Sequence, residues 1–512
     1  MSSWTKSTNR AALAAVCLSA LMLGLEISSI PAILPNLEQV LPADFRQLQW
    51  IMNAYTIAMT ACLMAMGALA DRYGRKLVFM AGIFVFGLAS LACGLATSAP
   101  ILIAARFVQG ASAAAMLSCQ IAVLSHQFRG GAERGSAFGW WGIVFGFGLG
   151  FGPLIGGLTV AVASWEWVFL VHVGLAGLAL ALTKSGVSES SDPHAERVDW
   201  PGMATLFFAV FALVYLITQG QVPSFANPTA LTLALVGCVS LLAFVVVEKL
   251  SPRPMFDFDA FRNRAFSGAL LSSVGMNFSF WPFVIYLPIY FGAVQGLDSA
   301  RMGLALLAYT VPTFLVPPLG ERLLIARGPR FVIPLGLFAI GVGFVLMRLG
   351  TGSSWLAMLP GCVVAGIGLG LTNTPVTNTA TAAVPAERAG MASGMDMSAR
   401  IISLAINIAL MGFLLLEGIR ASLERLAPEA ASTLAALSEA IAAGNLTAAE
   451  TGGLSRAIAR QALVHGFEAV MLYGAATAFG TALLAVLVLR GWRTRSAADW
   501  PARSVGPDRS PD

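Results

Sequence analysis

The sequence predicts an all-α integral membrane protein of about fourteen crossing helices, and three observations carry that expectation. Its 512 residues are 57% apolar and only 11% charged, with a mean hydropathy of +0.77; ordinary soluble cores do not hide that much apolar surface. The apolar residues recur in stretches of about twenty, long enough at about 1.5 Å per residue to cross a hydrocarbon layer of about 30 Å. The basic residues cluster in alternate short loops, the asymmetry that orients a membrane protein. The formal charge of +5 therefore reads as an orientation signal and not as a nucleic-acid surface.

Reading apolar runs between polar punctuation places spans near 11–35, 49–70, 77–97, 100–125, 137–162, 165–183, 201–219, 228–247, 266–291, 301–320, 331–349, 355–377, 388–416 and 466–490. The first follows Lys6 and Arg10 but runs on to Leu34 with Glu26 inside it, so it reads as an uncleaved span and not as a secretory leader. With the N-terminus inside, the inner loops hold Arg72, Arg75, Lys76, Arg129, Lys184, Arg197, Lys249, Arg253, Arg322, Arg327 and Arg388, and both termini are expected to be cytoplasmic at the plasma (inner) membrane. The loop Asp71-Arg72-Tyr73-Gly74-Arg75 has a weak echo in Ala326-Arg327-Gly328-Pro329-Arg330, the trace of two related halves. Spans 7 and 8 have no counterpart and little polar content, as inserted linkers would.

The expected units are a six-helix bundle over 1–186, two linker helices over 187–250, a second six-helix bundle over 251–492 and a disordered tail over 493–512. Within the second bundle an outer loop, 417–465, carries Ile419, Leu423 and Leu426, then Leu434, Leu437 and Ile441, at helical spacing. Short helices on the outer face are expected there, either capping an exit or docking an envelope adaptor protein. Cys17, Cys62, Cys93, Cys119, Cys238 and Cys362 fall singly within apolar stretches, so packing is expected, with no disulfide, metal or cofactor.

Four polar or glycine-rich patterns interrupt the apolar spans. Gly67-Ala68-Leu69-Ala70-Asp71-Arg72-Tyr73-Gly74-Arg75-Lys76 joins spans 2 and 3: Gly67 is expected to let helices approach, Gly74 to make the turn, and Asp71 to sit against a helix N-terminus or an arginine. Span 4 carries Arg106, Gln109, Gly110, Ala113 and Ala114 on one helical face. An arginine within a span is costly and must face the bundle interior. Span 5 runs through Gly142, Gly146, Gly148, Gly150, Gly152, Pro153, Gly156 and Gly157, small residues that let helices touch backbone to backbone, with Pro153 supplying a bend. Span 1 holds Leu25-Glu26-Ile27-Ser28-Ser29-Ile30-Pro31-Ala32-Ile33-Leu34-Pro35.

The first of these patterns matches the GxLaDrxGrK signature of the major facilitator superfamily. Span 4 resembles that family's RxxQGxxAA motif, and Gly148 to Gly157 resembles the GxxxGPxxGG motif of its antiporters. Span 1 looks like the LDxTIVNVALP segment of fourteen-span drug:proton antiporters of the QacA/EmrB type, with Glu26 in place of the usual aspartate. Trp50, Tyr55 and Ala389-Gly390-Met391-Ala392-Ser393-Gly394 before Arg400 are similar to that family too, over about residues 11 to 490. Two departures stand out: Glu166 where arginine is common and His172 where asparagine is frequent. The resemblance implies a major facilitator fold of two six-helix bundles plus two linker helices, an arginine (Arg106) in proton coupling, and export of small amphipathic compounds against protons by a chain acting as a monomer.

A carboxylate inside a membrane must be protonated, paired or facing water, which makes Glu26 the expected proton carrier. Asp396, four residues before Arg400 on one helical face, reads as that arginine's local partner before it reads as a second carrier. Met22, Trp50, Tyr55, Gln109, Asn277, Trp281 and Tyr309 are the expected substrate-cavity lining, adaptable apolar and aromatic walls suiting varied ligands. Lys6, Lys76, Lys184 and Lys249 follow Thr5, Arg75, Thr183 and Glu248, so no glycine–lysine phosphate loop exists and an ATP-driven pump is not expected. His126, His172, His194 and His465 lack ligand spacing, which argues against a membrane enzyme. A proton-coupled nutrient symporter shares fold and polar stripe and is the alternative.

Overall fold

The computed structural model describes residues 3–128, 131–191, 200–218, 227–251, 258–384, 389–428, 434–451 and 453–490. The expected tail 493–512 and the loop residues Arg129, Arg197, Arg253 and Arg388 lie outside these. Every element among the described residues is helical, as lipid demands when each backbone polar group must be satisfied within its own segment.

The N-terminal half comprises α1 (Ser3–Val40), α2 (Phe45–Tyr73), α3 (Arg75–Gly94), α4 (Ala99–Gln127), α5 (Gly131–Val162) and α6 (Glu166–Gly186). Then come α7 (Trp200–Thr218) and α8 (Pro228–Leu250), which pack on each other. The C-terminal half comprises α9 (Arg264–Asn277), α10 (Phe283–Ile289), α11 (Ser299–Leu315), α12 (Pro317–Arg327), α13 (Pro329–Leu349), α14 (Leu359–Ala382), α15 (Ala389–Leu426), α16 (Leu434–Ala442), α17 (Leu446–Thr451) and α18 (Arg456–Leu489). Among the described residues eleven helices are long and apolar enough to cross a membrane, and thirteen if two bent pairs each count once.

Several expected boundaries are corrected. The span expected at 266–291 is broken: α9 stops at Asn277, residues 278–282 form turns, and α10 starts after Pro282 and runs into a π-helical turn at Tyr290–Val294. Proline disfavours helix at the residue before it, which locates the break. The span expected at 301–320 is two helices, α11 and α12, bent by 40° at Val316, where the following Pro317 and Pro318 offer no N–H to the preceding turn. Much of the expected outer loop 417–465 belongs to the flanking spans. α15 continues to Leu426, burying Ile419 and Leu423 fully, and α18 begins at Arg456. No proline or positive-φ glycine stands between 389 and 426 to stop α15 earlier.

The halves meet at one end. There Arg46 of α2 pairs with Glu439 of α16 at 2.8 Å, and Asn445 donates to Glu38 of α1 at 2.8 Å. Gln49 donates to the Tyr286 hydroxyl at 3.1 Å. Along α5 and α11 the contact runs inward: a Cβ on Gly303 would stand 2.8 Å from Leu154 Cα, and Thr310 donates to the Gly150 carbonyl. This is the end opposite the turns at Gly74 and Gly328. Burial pushes the Glu38 carboxyl above its ordinary range, with the Asn445 bond pulling the other way. Beside it lies a cavity of about 300 Å³ lined by Asn36, Asp298, Asn445 and Arg456.

Candidate functional site

Four helices converge on Arg106. The spacing of three between Arg106 and Gln109 puts both on one face of α4. Arg106 Nη1 donates to Glu26 Oε1 of α1 and, at 2.7 Å, to Gln109 Oε1; Nε donates to the Ile51 carbonyl of α2 at 3.0 Å. The guanidinium lies 4.4 Å from the centre of the Tyr55 ring, an additional contact for a cation removed from water. Gln109 Nε2 donates to Ser90 Oγ of α3 at 2.9 Å. Glu26, Arg106 and Gln109 are all 0% exposed. Withdrawing each charge from water costs several kcal/mol, on the order of what close pairing returns. Yet Glu26 Oε2 and Arg106 Nη2 accept and donate no hydrogen bond, so the pair is only half satisfied.

Glu26 lies beyond the middle of its span, toward the end where the halves meet. The apolar span of α1 is Thr8–Leu34, centred on residue 21, and Glu26 lies five residues beyond, about 7 Å toward the end where the halves touch. Two members of the cluster were not expected from sequence. Ser90 anchors Gln109. His172 of α6, noted only as a departure from a family pattern, stands with Nδ1 3.6 Å from Glu26 Oε2. A buried histidine in an apolar helix was the available signal.

Span 5 presents two glycine faces. Gly148, Gly152 and Gly156, four apart, lie on α1: a Cβ would stand 2.9 Å from the Leu21 carbonyl oxygen, 1.9 Å from Ser28 Oγ and 2.8 Å from the Ser29 carbonyl oxygen, respectively. Ser28 Oγ also donates to the Gly148 carbonyl at 3.0 Å. Gly146 and Gly150 lie on Phe314 of α11, in the other half. Pro153 and Gly157 are buried within this helix, and the Pro153 carbonyl faces Gly303.

At the opposite end, Gly74 takes φ +116°, which only glycine adopts freely, and turns α2 into α3. Asp71 pairs with Arg75 at 2.8 Å, so of the two expected partners the arginine holds it. The α3 N-terminus is taken instead by Glu189, whose carboxylate accepts from the backbone N–H of Lys76 and Leu77 at 3.0 and 3.2 Å. Glu189 was not expected. Arg72 lies on its neighbour's ring, 5.4 Å from the centre of Tyr73. Gly67 does not make the expected close approach: a Cβ there would meet Ser118 Cβ at 3.8 Å, an ordinary contact. The tight crossing of α2 and α4 is at Gly110, where a Cβ would stand 2.2 Å from the Tyr55 carbonyl oxygen. Asp71→Asn removes the charge beside Arg75 far from the Glu26 cluster. It should slow turnover about ten-fold while ligand affinity stays within about two-fold, read by transport rate and equilibrium binding on one preparation.

Asp396 and Arg400 sit in a closed network. Arg400 Nε donates to Asp396 Oδ2 at 3.1 Å and Nη2 to Thr377 at 2.9 Å; Nη1 donates to Asn373; Thr377 and Ser273 both donate to Asp396. Both Asp396 oxygens are thus engaged, across α9, α14 and α15.

The expected cavity residues do not gather in one place. Tyr55 and Gln109 belong to the Arg106 cluster, and Met22 offers its carbonyl to His172 at 3.2 Å. Trp50 turns away: it packs on Phe211 and Tyr215 of α7, in an apolar crevice of about 260 Å³. Tyr309 stacks on Phe280 at 4.0 Å and donates to its carbonyl at 2.7 Å, with Trp281 edge-on to the same ring. Asn277 ends α9 and its carbonyl accepts from Asn407. Aromatic residues at a helix break pack locally, which periodicity alone does not reveal. Among the described residues no three His, Cys, Asp or Glu lie together as metal ligands.

A family model described as Major Facilitator Superfamily matches residues 16–407. The chain is 31% identical over 495 residues to multidrug resistance protein Stp of Mycobacterium tuberculosis, covering 94% of this chain and 91% of that one. It is 29% identical over 485 residues to puromycin resistance protein pur8 of Streptomyces alboniger, covering 93% and 90%. In fold it is similar to a bacterial homologue of the human lysosomal transporter Spinster, with a TM-score of 0.64 at 16% identity, covering 97% of this chain and 100% of that one. The protein is thus a multi-pass membrane transporter and not an enzyme, and it belongs to the Major Facilitator Superfamily.

Proposed function

We propose that this chain exports small amphipathic compounds in exchange for protons, by alternating access, as a fourteen-span antiporter of the QacA/EmrB type. The observation that carries the coupling is the buried Glu26–Arg106 pair with one carboxylate oxygen left without a hydrogen bond. A proton on that oxygen loosens the hold on Arg106, and a substrate or a conformational change that repacks the arginine changes how tightly the proton is held. Relatives named for multidrug and puromycin resistance support drug-like cargo.

The two halves, 1–186 and 251–492, are the rocking units, with 187–250 as linker, and one chain suffices for the cycle. With both termini in the cytoplasm and the chain in the plasma membrane, the end where the halves meet faces outward. The region of α16 and α17 then serves as an outer cap, held by Arg46–Glu439 and Glu38–Asn445.

The test uses inverted membrane vesicles, in which the pump's cytoplasmic face is outward, and ethidium as an amphipathic probe. Acidifying the lumen should drive ethidium into the vesicles, and collapsing the gradient should release it. Movement down the same direction as protons marks the chain as a symporter and refutes export.

A further inference from the structure

Resting on the reading of this site as the proton-coupling site, we propose that His172 takes up and releases a proton as Glu26's partner. The case is geometric. His172 is 1% exposed, and both of its ring nitrogens face oxygen. Nε2 lies 3.2 Å from the Met22 carbonyl of α1. Nδ1 lies 3.1 Å from the Val168 carbonyl, one turn back on its own helix, and 3.6 Å from Glu26 Oε2. That oxygen is the one left without a hydrogen bond.

A neutral imidazole has one N–H and one lone pair. Either tautomer therefore points a lone pair at a carbonyl oxygen, at a ring closed off from bulk solvent. The Nδ1-protonated form leaves Nε2 against Met22; the Nε2-protonated form leaves Nδ1 against both Val168 and the Glu26 carboxylate. Only the imidazolium donates on both sides. The pocket is thus built for the charged ring, with the free oxygen of Glu26 as its counter-charge.

The other groups around the ring fit that role. From α3 comes the Phe86 ring, edge-on at 5.8 Å. From α4 comes Arg106, held on the opposite carboxylate oxygen, and from α2 comes Tyr55 beyond it. Glu26 is the acidic group in contact with the ring, and it lies between two bases, one fixed as a cation and one able to lose its charge. A proton passing from Nδ1 to Oε2 breaks an N–H bond and forms an O–H bond. It leaves neutral imidazole and a carboxylic acid, and the cluster's total charge is unchanged. Arg106 then loses its anionic partner without any net charge entering the protein, a step in which chemistry can be coupled to helix movement.

The experiment is nitrogen NMR of the full chain in lipid nanodiscs, with His126, His194 and His465 replaced by Gln so that His172 is the one imidazole. As the medium is made more basic, the ring should pass from two protonated nitrogens to one. A single neutral tautomer throughout, or a fixed charge throughout, overturns the proposal. Transport gives the second reading. His172→Gln keeps one polar contact and should still bind and exchange ethidium, but its efflux rate should lose the dependence of up to about ten-fold per pH unit that one coupled proton confers. An unaltered pH profile in that variant also overturns it. Neither result depends on Glu26→Gln, so failure here is distinguishable from failure of proton coupling itself.

Discussion

Glu26→Gln protein in liposomes should still bind and exchange a transported compound yet fail to drive it uphill, falling to the rate of protein-free liposomes under an imposed pH gradient. The amide keeps an oxygen that can accept from Arg106 Nη1, so the geometry of the cluster has a substitute for its first bond. What it lacks is a charge and a site for a proton. Arg106, fully buried over Tyr55, is then left as an uncompensated cation, a situation that costs about 3–5 kcal/mol when a buried pair loses one member. The retained bonds to Ile51 and Gln109 hold the loss toward the lower end of that range. Thermal denaturation on the same preparation separates the two effects: a folded, ligand-binding protein without uphill transport is the expected combination. Glu26→Asp restores the charge one methylene shorter and should keep partial activity. Uphill transport by Glu26→Gln at the unaltered rate would refute the assignment, and His172 would become the next residue to test.

Gly152→Leu should reduce transport to background in a protein that still inserts. A Cβ alone would stand 1.9 Å from Ser28 Oγ and 3.1 Å from the Ser29 backbone nitrogen. Turning Ser28 aside relieves the first contact but breaks its bonds to the Gly24 and Gly148 carbonyls, and the rest of the leucine has only α1 backbone to meet. Overpacking of this kind costs about 1–3 kcal/mol in a well-packed core, and here α5 relieves it by moving away from α1. The same helix carries the Gly150 carbonyl that accepts from Thr310 and the Leu154 backbone against Gly303, so the displacement reaches the other half. Gly142→Leu is the internal control, because a Cβ there meets nothing within 4 Å. Equal loss in both variants would mean that glycine flexibility, and not close packing, is what α5 needs.

The helical class and nearly every span were legible because apolar length is a local property of the sequence. Breaks at Pro282 and Pro317 were not placed, since a proline within an apolar run continues some helices, as Pro153 and Pro334 do, and stops others. The extension of α15 to Leu426 was missed because its outer turns are amphipathic rather than apolar, and only the packing partners on α18 and α16 show that Ile419 and Leu423 are interior. At the site, Glu26, Arg106 and Gln109 were legible as charges and amides too costly to leave unpaired. Their meeting with Ser90 and His172 was not, because it depends on how four helices are rotated about their axes. The cavity residues fared worst for the same reason: Trp50 and Tyr55, five residues apart on α2, face different neighbours.

The pair α7 and α8 has a consequence for the lipid around the protein. Leu206, Val210 and Val214 of α7 and Phe244 of α8 form one apolar cluster with Ile57 of α2 and with Ala405 and Ala409 of α15, one helix from each half. Where α2 and α15 run side by side, any widening between them would open a slot to the hydrocarbon, through which acyl chains could enter and fill the path. Of the pair, α7 lies over that seam with α8 packed on it, and its contacts to both sides are apolar side chains, small on α15, which can slide without breaking directional bonds. The seam can change width while remaining covered, so the transporter is gasketed against the bilayer on this flank.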